Sequence, residues 1–174
     1  MIYSKDLRRD GGVPMFLSAY GAAANTSNFA GRSLALIDQG GIVGYAAVLG
    51  GGEYDRDWHR AGLLENKPNT WRDLIAVSED MIAAGDTVPA KLVIGGRSAG
   101  GIAVGRALTE RPHLFAAVVS GNGWHNPLRY VAEQNGFGEE PEWGAISDPA
   151  GHRALKSIDS YQAVTDSVPI QPCC

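Results

Sequence analysis

The sequence predicts an α/β protein built on a mostly parallel sheet, and three observations carry that prediction. Short β-prone apolar runs alternate with helix-like stretches in the order strand, helix, strand, helix, strand, helix, strand. Such alternation buries a parallel sheet beneath helices on both faces. Glycine, 23 of 174 residues, clusters at Gly40-Gly41, Gly50-Gly51-Gly52, Gly95-Gly96 and Gly100-Gly101, mostly beside the apolar runs, where a chain leaving a strand must turn sharply. The composition, 44% hydrophobic and 20% charged, is that of an ordinary globular protein, and the length fits one domain with a sizeable core.

Each element follows from local pattern. Pro14 to Tyr20 reads as a buried strand ending in a turn at Gly21. Between Phe29 and Asp38 the apolar positions Ala30, Leu34 and Ile37 recur at helical spacing. Ile42 to Val48 is the second strand, closed by the triple glycine. Thr70 to Ala84 is the clearest helix, with Trp71, Leu74, Ile75, Met81 and Ile82 as its apolar stripe and Gly85 as its stop. Thr70 and Asp73 have the spacing of a capping box, with Asp in place of Glu or Gln. Leu92 to Ile94 is the third strand, followed by a helix to about Glu110. Phe115 to Val119 is the fourth, and helices are expected near 127–134 and 150–157.

The junction after the third strand is the most informative segment. Gly96-Arg97-Ser98-Ala99-Gly100-Gly101 puts a serine at the centre of G-x-S-x-G between a strand and a helix. That is the nucleophile elbow of α/β-hydrolases: small neighbours permit a turn too tight for side chains, so the hydroxyl projects from the top of the sheet. The helix N-terminus beneath it favours negative charge developing nearby. In a parallel sheet, ligands sit at the carboxyl ends of the strands. Tyr20, the triple-glycine loop, Ser98 and the loop Gly121 to His125 all fall at such ends, so the architecture gathers them on one edge.

Other classes of function find little support. A net charge of −4 gives no reason to expect nucleic acid or an anionic membrane as partner. No signal peptide is visible and no uninterrupted apolar stretch is long enough to span a bilayer, which leaves the cytoplasm as the expected location. Cys173 and Cys174, adjacent and terminal, indicate neither a disulfide framework nor a metal site. No cofactor is expected: the glycines around Ser98 do not fit G-x-G-x-x-G, no G-x-x-x-x-G-K-S/T occurs, and no histidine–carboxylate spacing makes a convincing metal site.

A longer pattern surrounds the elbow. Gly50-Gly51-Gly52-Glu53-Tyr54, Trp58-His59, Ala61-Gly62, Lys67-Pro68-Asn69-Thr70, the Ser98 elbow and Glu110-Arg111-Pro112-His113-Leu114-Phe115 follow one another in order. Asn126-Pro127-Leu128-Arg129, Pro141-Glu142-Trp143-Gly144, Ala154-Leu155 and Tyr161-Gln162-Ala163-Val164 continue it. Together these resemble the catalytic domain of the prolyl oligopeptidase family of serine peptidases, over roughly residues 1–169. The resemblance implies that residues 1–174 form part of that domain, with no β-propeller domain present. It implies Ser98 as the nucleophile that forms an acyl-enzyme. It implies an oxyanion held by the Ala99 backbone N–H and the Tyr20 hydroxyl, two preorganised donors that constitute a large catalytic term. The implied substrate is a short peptide, with cleavage after proline typical, and Ala23 and Trp124 fall where substrate is bound. Several positions depart from the family pattern. Leu49 and Asp55 replace the usual arginine and glycine around the triple-glycine motif, and Arg97 replaces a commoner glycine. Ala22-Ala23-Ala24 stands where Gly or an aromatic is usual, which predicts a thinner apolar wall.

The acid and histidine of an α/β-hydrolase follow the serine in the chain. The resemblance places both beyond a Tyr-Pro-Ala-Val-Leu-Leu-Thr strand, and in its place this sequence has Ile170-Gln171-Pro172-Cys173-Cys174. The codons TAT CCA GCC GTG CTG CTG A, encoding the expected strand, become ATC CAG CCG TGC TGC TGA on loss of the first base. They then read Ile, Gln, Pro, Cys, Cys, stop. The expectation is therefore a frame-shifted chain, truncated before the last strands and clipped at Met1-Ile2-Tyr3. Without a general base the serine is a poor nucleophile, and negligible peptidase activity is expected of the isolated chain. His59 and His113 read as structural, His125 sits on a strand-end loop from which it could approach Ser98, and His152 opens a predicted helix; a base paired with Ser98 would also need an orienting carboxylate. Glu53 and Asp148 read as solvated or structural. Two alternatives stand beside the peptidase: an esterase or other acyl hydrolase of the same fold, and a non-catalytic remnant.

Overall fold

The computed structural model describes residues 1–7, 12–133 and 139–165. Four parallel strands, β1 (Met15–Ser18), β2 (Ile42–Tyr45), β3 (Leu92–Arg97) and β4 (Ala117–Gly121), lie in the order β2-β1-β3-β4. The register sets Met15 beside Ile42 on one side and Leu92 on the other, and Ile94 beside Val118. Around the sheet are α1 (Leu34–Asp38), α2 (Arg56–Arg60), α3 (Pro68–Ala83), α4 (Gly100–Glu110), α5 (Pro127–Ala132), α6 (Glu140–Trp143) and α7 (Pro149–Ile158). The parallel α/β architecture is thus the expected one. At the outer edge of β2, Ile2 makes one antiparallel bridge to Val43. The predicted helix 127–134 is shorter, ending at Ala132, and position 134 and the tail from 166 lie outside the described residues.

Side chains in a strand alternate between faces, and burial follows that alternation unevenly. Met15, Leu17, Ile42, Leu92 and Ile94 share one face and are almost wholly buried. Phe16 and Val93, on the other face, are only half-buried, so among the described residues the sheet is not equally covered on both sides. The helices α3 and α4 pack together, and α4 lies on β3 and β4. Trp71 and Leu74 of α3 and Ile102, Ala103, Val104 and Ala107 of α4 complete the core. Each such large side chain removed from water contributes about 1.5–3 kcal/mol. The fourth strand is shifted from the expected 115–119: Leu114 and Phe115 are buried ahead of it, and Val119, 52% exposed, lies on the strand that ends the sheet among the described residues.

The capping box at Thr70 is not formed. The helix starts at Pro68, with Lys67 at the cap position, because proline at the first position needs no partner for a missing N–H. Thr70 and Asp73 instead turn onto Leu49: Thr70 Oγ1 donates to its carbonyl (2.6 Å) and Asp73 Oδ2 accepts from its N–H (2.9 Å). Both backbone groups ahead of the triple glycine are thereby fixed to α3. Burial raises the Asp73 pKa, and the Leu49 N–H works against that rise. Asp73→Ala leaves this N–H without its acceptor and is expected to cost about 1–3 kcal/mol in urea unfolding.

Candidate active site

β3 ends at Arg97 and α4 begins at Gly100, so the reversal from strand to helix falls on Ser98 and Ala99. Ser98 takes it up with φ +53°, a left-handed conformation uncommon for a residue with a Cβ. Three backbone bonds hold the turn. Ser98 N–H donates to Gly121 O (3.1 Å), while Ser98 O accepts from Gly101 N–H (2.9 Å) and Trp124 N–H (3.1 Å). The flanking glycines are required for space: a Cβ at Gly96 would lie 2.2 Å from Gly100 O, and one at Gly101 would lie 2.4 Å from Gly123 Cα.

Ser98 and Ala99 open onto a cavity of about 430 Å³, whose wall includes Tyr20, Ala23, His59, Trp124, Glu142 and Trp143. Its size is that of a small-ligand site. All five residues singled out from sequence (Ser98, Tyr20, Ala99, Trp124 and Ala23) therefore meet at one place. Among the described residues the Ala99 N–H has no acceptor, and neither the Ser98 nor the Tyr20 hydroxyl has a hydrogen-bond partner. Trp124 stacks on Tyr130 (centroids 4.2 Å apart) and meets Trp143 edge-on (5.7 Å), so its ring is fixed from two sides.

One carboxylate organises the far wall. Glu142 Oε1 accepts from Ala23 N–H (3.0 Å), and Glu142 Oε2 lies 3.0 Å from His59 Nε2. Lys67 Nζ is 3.7 Å from the same carboxylate, sits 4.7 Å from the centre of the Trp143 ring, and donates to the carbonyl of Gly21. The loop carrying Tyr20 is thus held from both sides, by Lys67 at Gly21 and by Glu142 at Ala23. In the sequence, Lys67 and Glu142 stand within longer motifs that assign neither a role. His59, expected to be structural, is part of the cavity wall.

The buried ammonium has a stability signature. Desolvation lowers the Lys67 pKa from an ordinary 10.5 to about 8, against the opposing pull of Glu142. Below pH 8 the lysine is charged whether folded or not, and folding carries the full cost of burying it. Between pH 8 and 10.5 the unfolded chain holds the proton and the folded one does not, so stability rises with pH. That rise is about 3 kcal/mol for this group. Urea unfolding across this range is expected to show it in the parent chain and not in Lys67→Met; parallel curves for the two would contradict it.

The remaining histidines lie elsewhere. His125 is bonded to Ser120 and Ser160 rather than to Ser98, and His113 and His152 are exposed. Asp148 caps α7 by accepting from Gly151 N–H (2.7 Å), and Glu53 accepts from Ser27 N–H (3.0 Å). Among the described residues no three His, Cys, Asp or Glu side chains gather as a metal set, and no helix is long and apolar enough to cross a membrane.

A parallel sheet with a strained serine between its third strand and the following helix defines an α/β-hydrolase. The prolyl oligopeptidase family model matches residues 27–171. A prolyl endopeptidase of Elizabethkingia meningoseptica is 34% identical over 164 residues, which cover 93% of this chain and 23% of the relative. A structure from a study of two prolyl endopeptidases superposes with a TM-score of 0.92 at 36% identity, covering 97% of this chain and 25% of that one. Oligopeptidase B of Trypanosoma brucei, solved with covalently bound antipain, superposes at 0.88 and 32% identity, covering 93% and 24%. This chain belongs to the prolyl oligopeptidase family. It spans about a quarter of the length of these relatives.

Proposed function

We propose that the chain is part of the catalytic domain of a serine peptidase that cleaves short, proline-containing peptides through an acyl-enzyme on Ser98. The observation that carries this reading is the left-handed Ser98 at the strand-to-helix turn, opening onto a cavity it shares with Tyr20 and Ala99. Ser98 Oγ attacks the peptide carbonyl, and the developing oxyanion meets the Ala99 N–H and the Tyr20 hydroxyl, both without other partners among the described residues. Trp124 and Ala23 contact the substrate. The bound antipain of the Trypanosoma brucei relative supports a covalent, peptide-directed site.

Among the described residues no histidine is hydrogen-bonded to Ser98, so proton removal from its hydroxyl depends on groups beyond them. The expectation is that this chain by itself hydrolyses a proline-containing chromogenic peptide no faster than background. A longer reading frame carrying it with a histidine and a carboxylate is expected to turn over the peptide in a Ser98-dependent way. Peptide turnover unaffected by Ser98→Ala would overturn the assignment. Ser98-dependent turnover of a matched ester with none of the peptide would favour the acyl-hydrolase reading.

A further inference from the structure

A second serine–histidine pair lies outside the cavity. Ser120, exposed near the end of β4, has its Oγ 2.8 Å from His125 Nε2. On the other side of the ring, His125 Nδ1 is 3.1 Å from Ser160 Oγ, which in turn is 3.3 Å from the His125 carbonyl. The His125 carbonyl already accepts from Tyr161 N–H (2.9 Å), and Ser160 Oγ stands farther off. A neutral imidazole divides one donor and one acceptor between its two nitrogens, so a proton on Nδ1, donated to Ser160 Oγ, leaves Nε2 to accept from the Ser120 hydroxyl. That is the tautomer a general base requires.

Two glycines make room for the arrangement. A Cβ at Gly123 would lie 2.0 Å from Ser120 Oγ and 2.9 Å from His125 Nε2. A Cβ at Gly105 on α4 would lie 2.7 Å from Ser160 Oγ and 2.8 Å from His125 Nδ1. Any other residue at either place would push the three side chains apart. Burial also lowers the His125 pKa, which favours the neutral imidazole.

We propose that Ser120, activated by His125 and oriented through Ser160, is a second nucleophilic serine that takes acyl groups from small activated esters independently of Ser98. Ser120 Oγ attacks the ester carbonyl and its proton passes to His125 Nε2. The C–O bond to the leaving group breaks, the proton leaves with the departing phenol or alcohol, and Ser120 carries the acyl ester. Ser120 is exposed and does not line the cavity, so the fitting donors are small aryl esters or phosphonyl fluorides rather than long peptides. With a phosphonyl fluoride the P–F bond breaks, the Oγ–P bond forms, and HF departs with the serine proton.

The test treats this chain with an alkyl fluorophosphonate and maps adducts by peptide mass spectrometry, in the parent, Ser98→Ala, Ser120→Ala and His125→Gln forms. An adduct on Ser120 is expected in the parent and in Ser98→Ala, and none at that position in Ser120→Ala. General-base assistance is a factor of about 10²–10⁴, so His125→Gln should slow labelling at Ser120 by about 10²-fold or more. If His125→Gln does not fold, Ser160→Ala takes its place and should slow Ser120 labelling several-fold. The imidazole ¹⁵N spectrum of the parent near pH 7 should show a protonated Nδ1. No adduct on Ser120 in Ser98→Ala, a rate at Ser120 indifferent to the histidine or Ser160 change, or a protonated Nε2 would each overturn the proposal.

Discussion

Replacing Ser98 with alanine is expected to lower kcat/KM for peptide hydrolysis by about 10⁴–10⁶-fold in a protein that carries this chain together with a base. The loss is that large because, in the proposed mechanism, the serine supplies the bond-forming oxygen and no acyl-enzyme forms without it. The fold should not move with it. Ser98 is held by its backbone through Gly121, Gly101 and Trp124, and its hydroxyl has no partner among the described residues to lose. Alanine can occupy the same φ of +53° at similar cost. Steady-state kinetics on a proline-containing chromogenic peptide, with urea unfolding run alongside, would separate lost chemistry from lost folding. A variant keeping a tenth of the parent rate would remove Ser98 from its assigned place.

On the oxyanion role proposed for Tyr20, Tyr20→Phe is expected to lower kcat by about 10²–10³-fold while changing KM little, because the hydroxyl would act on charge that exists only in the transition state. The substitution keeps the ring, which packs beside the elbow: a Cβ at Gly100 would lie 3.4 Å from Tyr20 Cδ2. It removes one oxygen that has no partner among the described residues and whose proposed partner is the oxyanion. A rise in KM at unchanged kcat would mean that Tyr20 contacts the ground-state substrate instead. The loop that carries it is anchored by Lys67 at the Gly21 carbonyl and by Glu142 at the Ala23 N–H, and neither anchor involves the phenol. The phenylalanine ring of the variant should therefore sit where the Tyr20 ring does, leaving a clean comparison of one hydroxyl.

The elbow is legible in sequence because its parts are neighbours. Six consecutive residues, Gly96 to Gly101, contain the serine, the N–H that follows it and the glycines that let strand and helix approach. The helix of residues 68–83 is legible from periodicity, but its start is not. Thr70 and Asp73 carry the spacing of a cap, and a local pattern cannot reveal that Leu49, 24 residues before Asp73, competes for the same side chains. Tertiary hydrogen bonds to a loop take precedence over the helix's own first turn. The far wall of the cavity is hidden for a similar reason. Ala23 and Glu142 are 119 residues apart, and His59 and Glu142 are 83 apart. No spacing rule connects residues across such distances.

Sequence by itself determined the class of this protein, since alternating elements and a serine between two glycines are properties of adjacent residues. It also determined the chemistry on offer, a hydroxyl, a phenol and a backbone N–H at strand ends on one edge. Only the tertiary structure decided which side chains support them. It brought Lys67 and Glu142 to the Tyr20 loop and turned Thr70 and Asp73 outward from their helix. It assigned His125 to Ser120 and Ser160 instead of Ser98. The physical reason is that backbone turns are set by short-range sterics, whereas the partner of a buried polar group is set by whichever distant segment the packed core delivers to it.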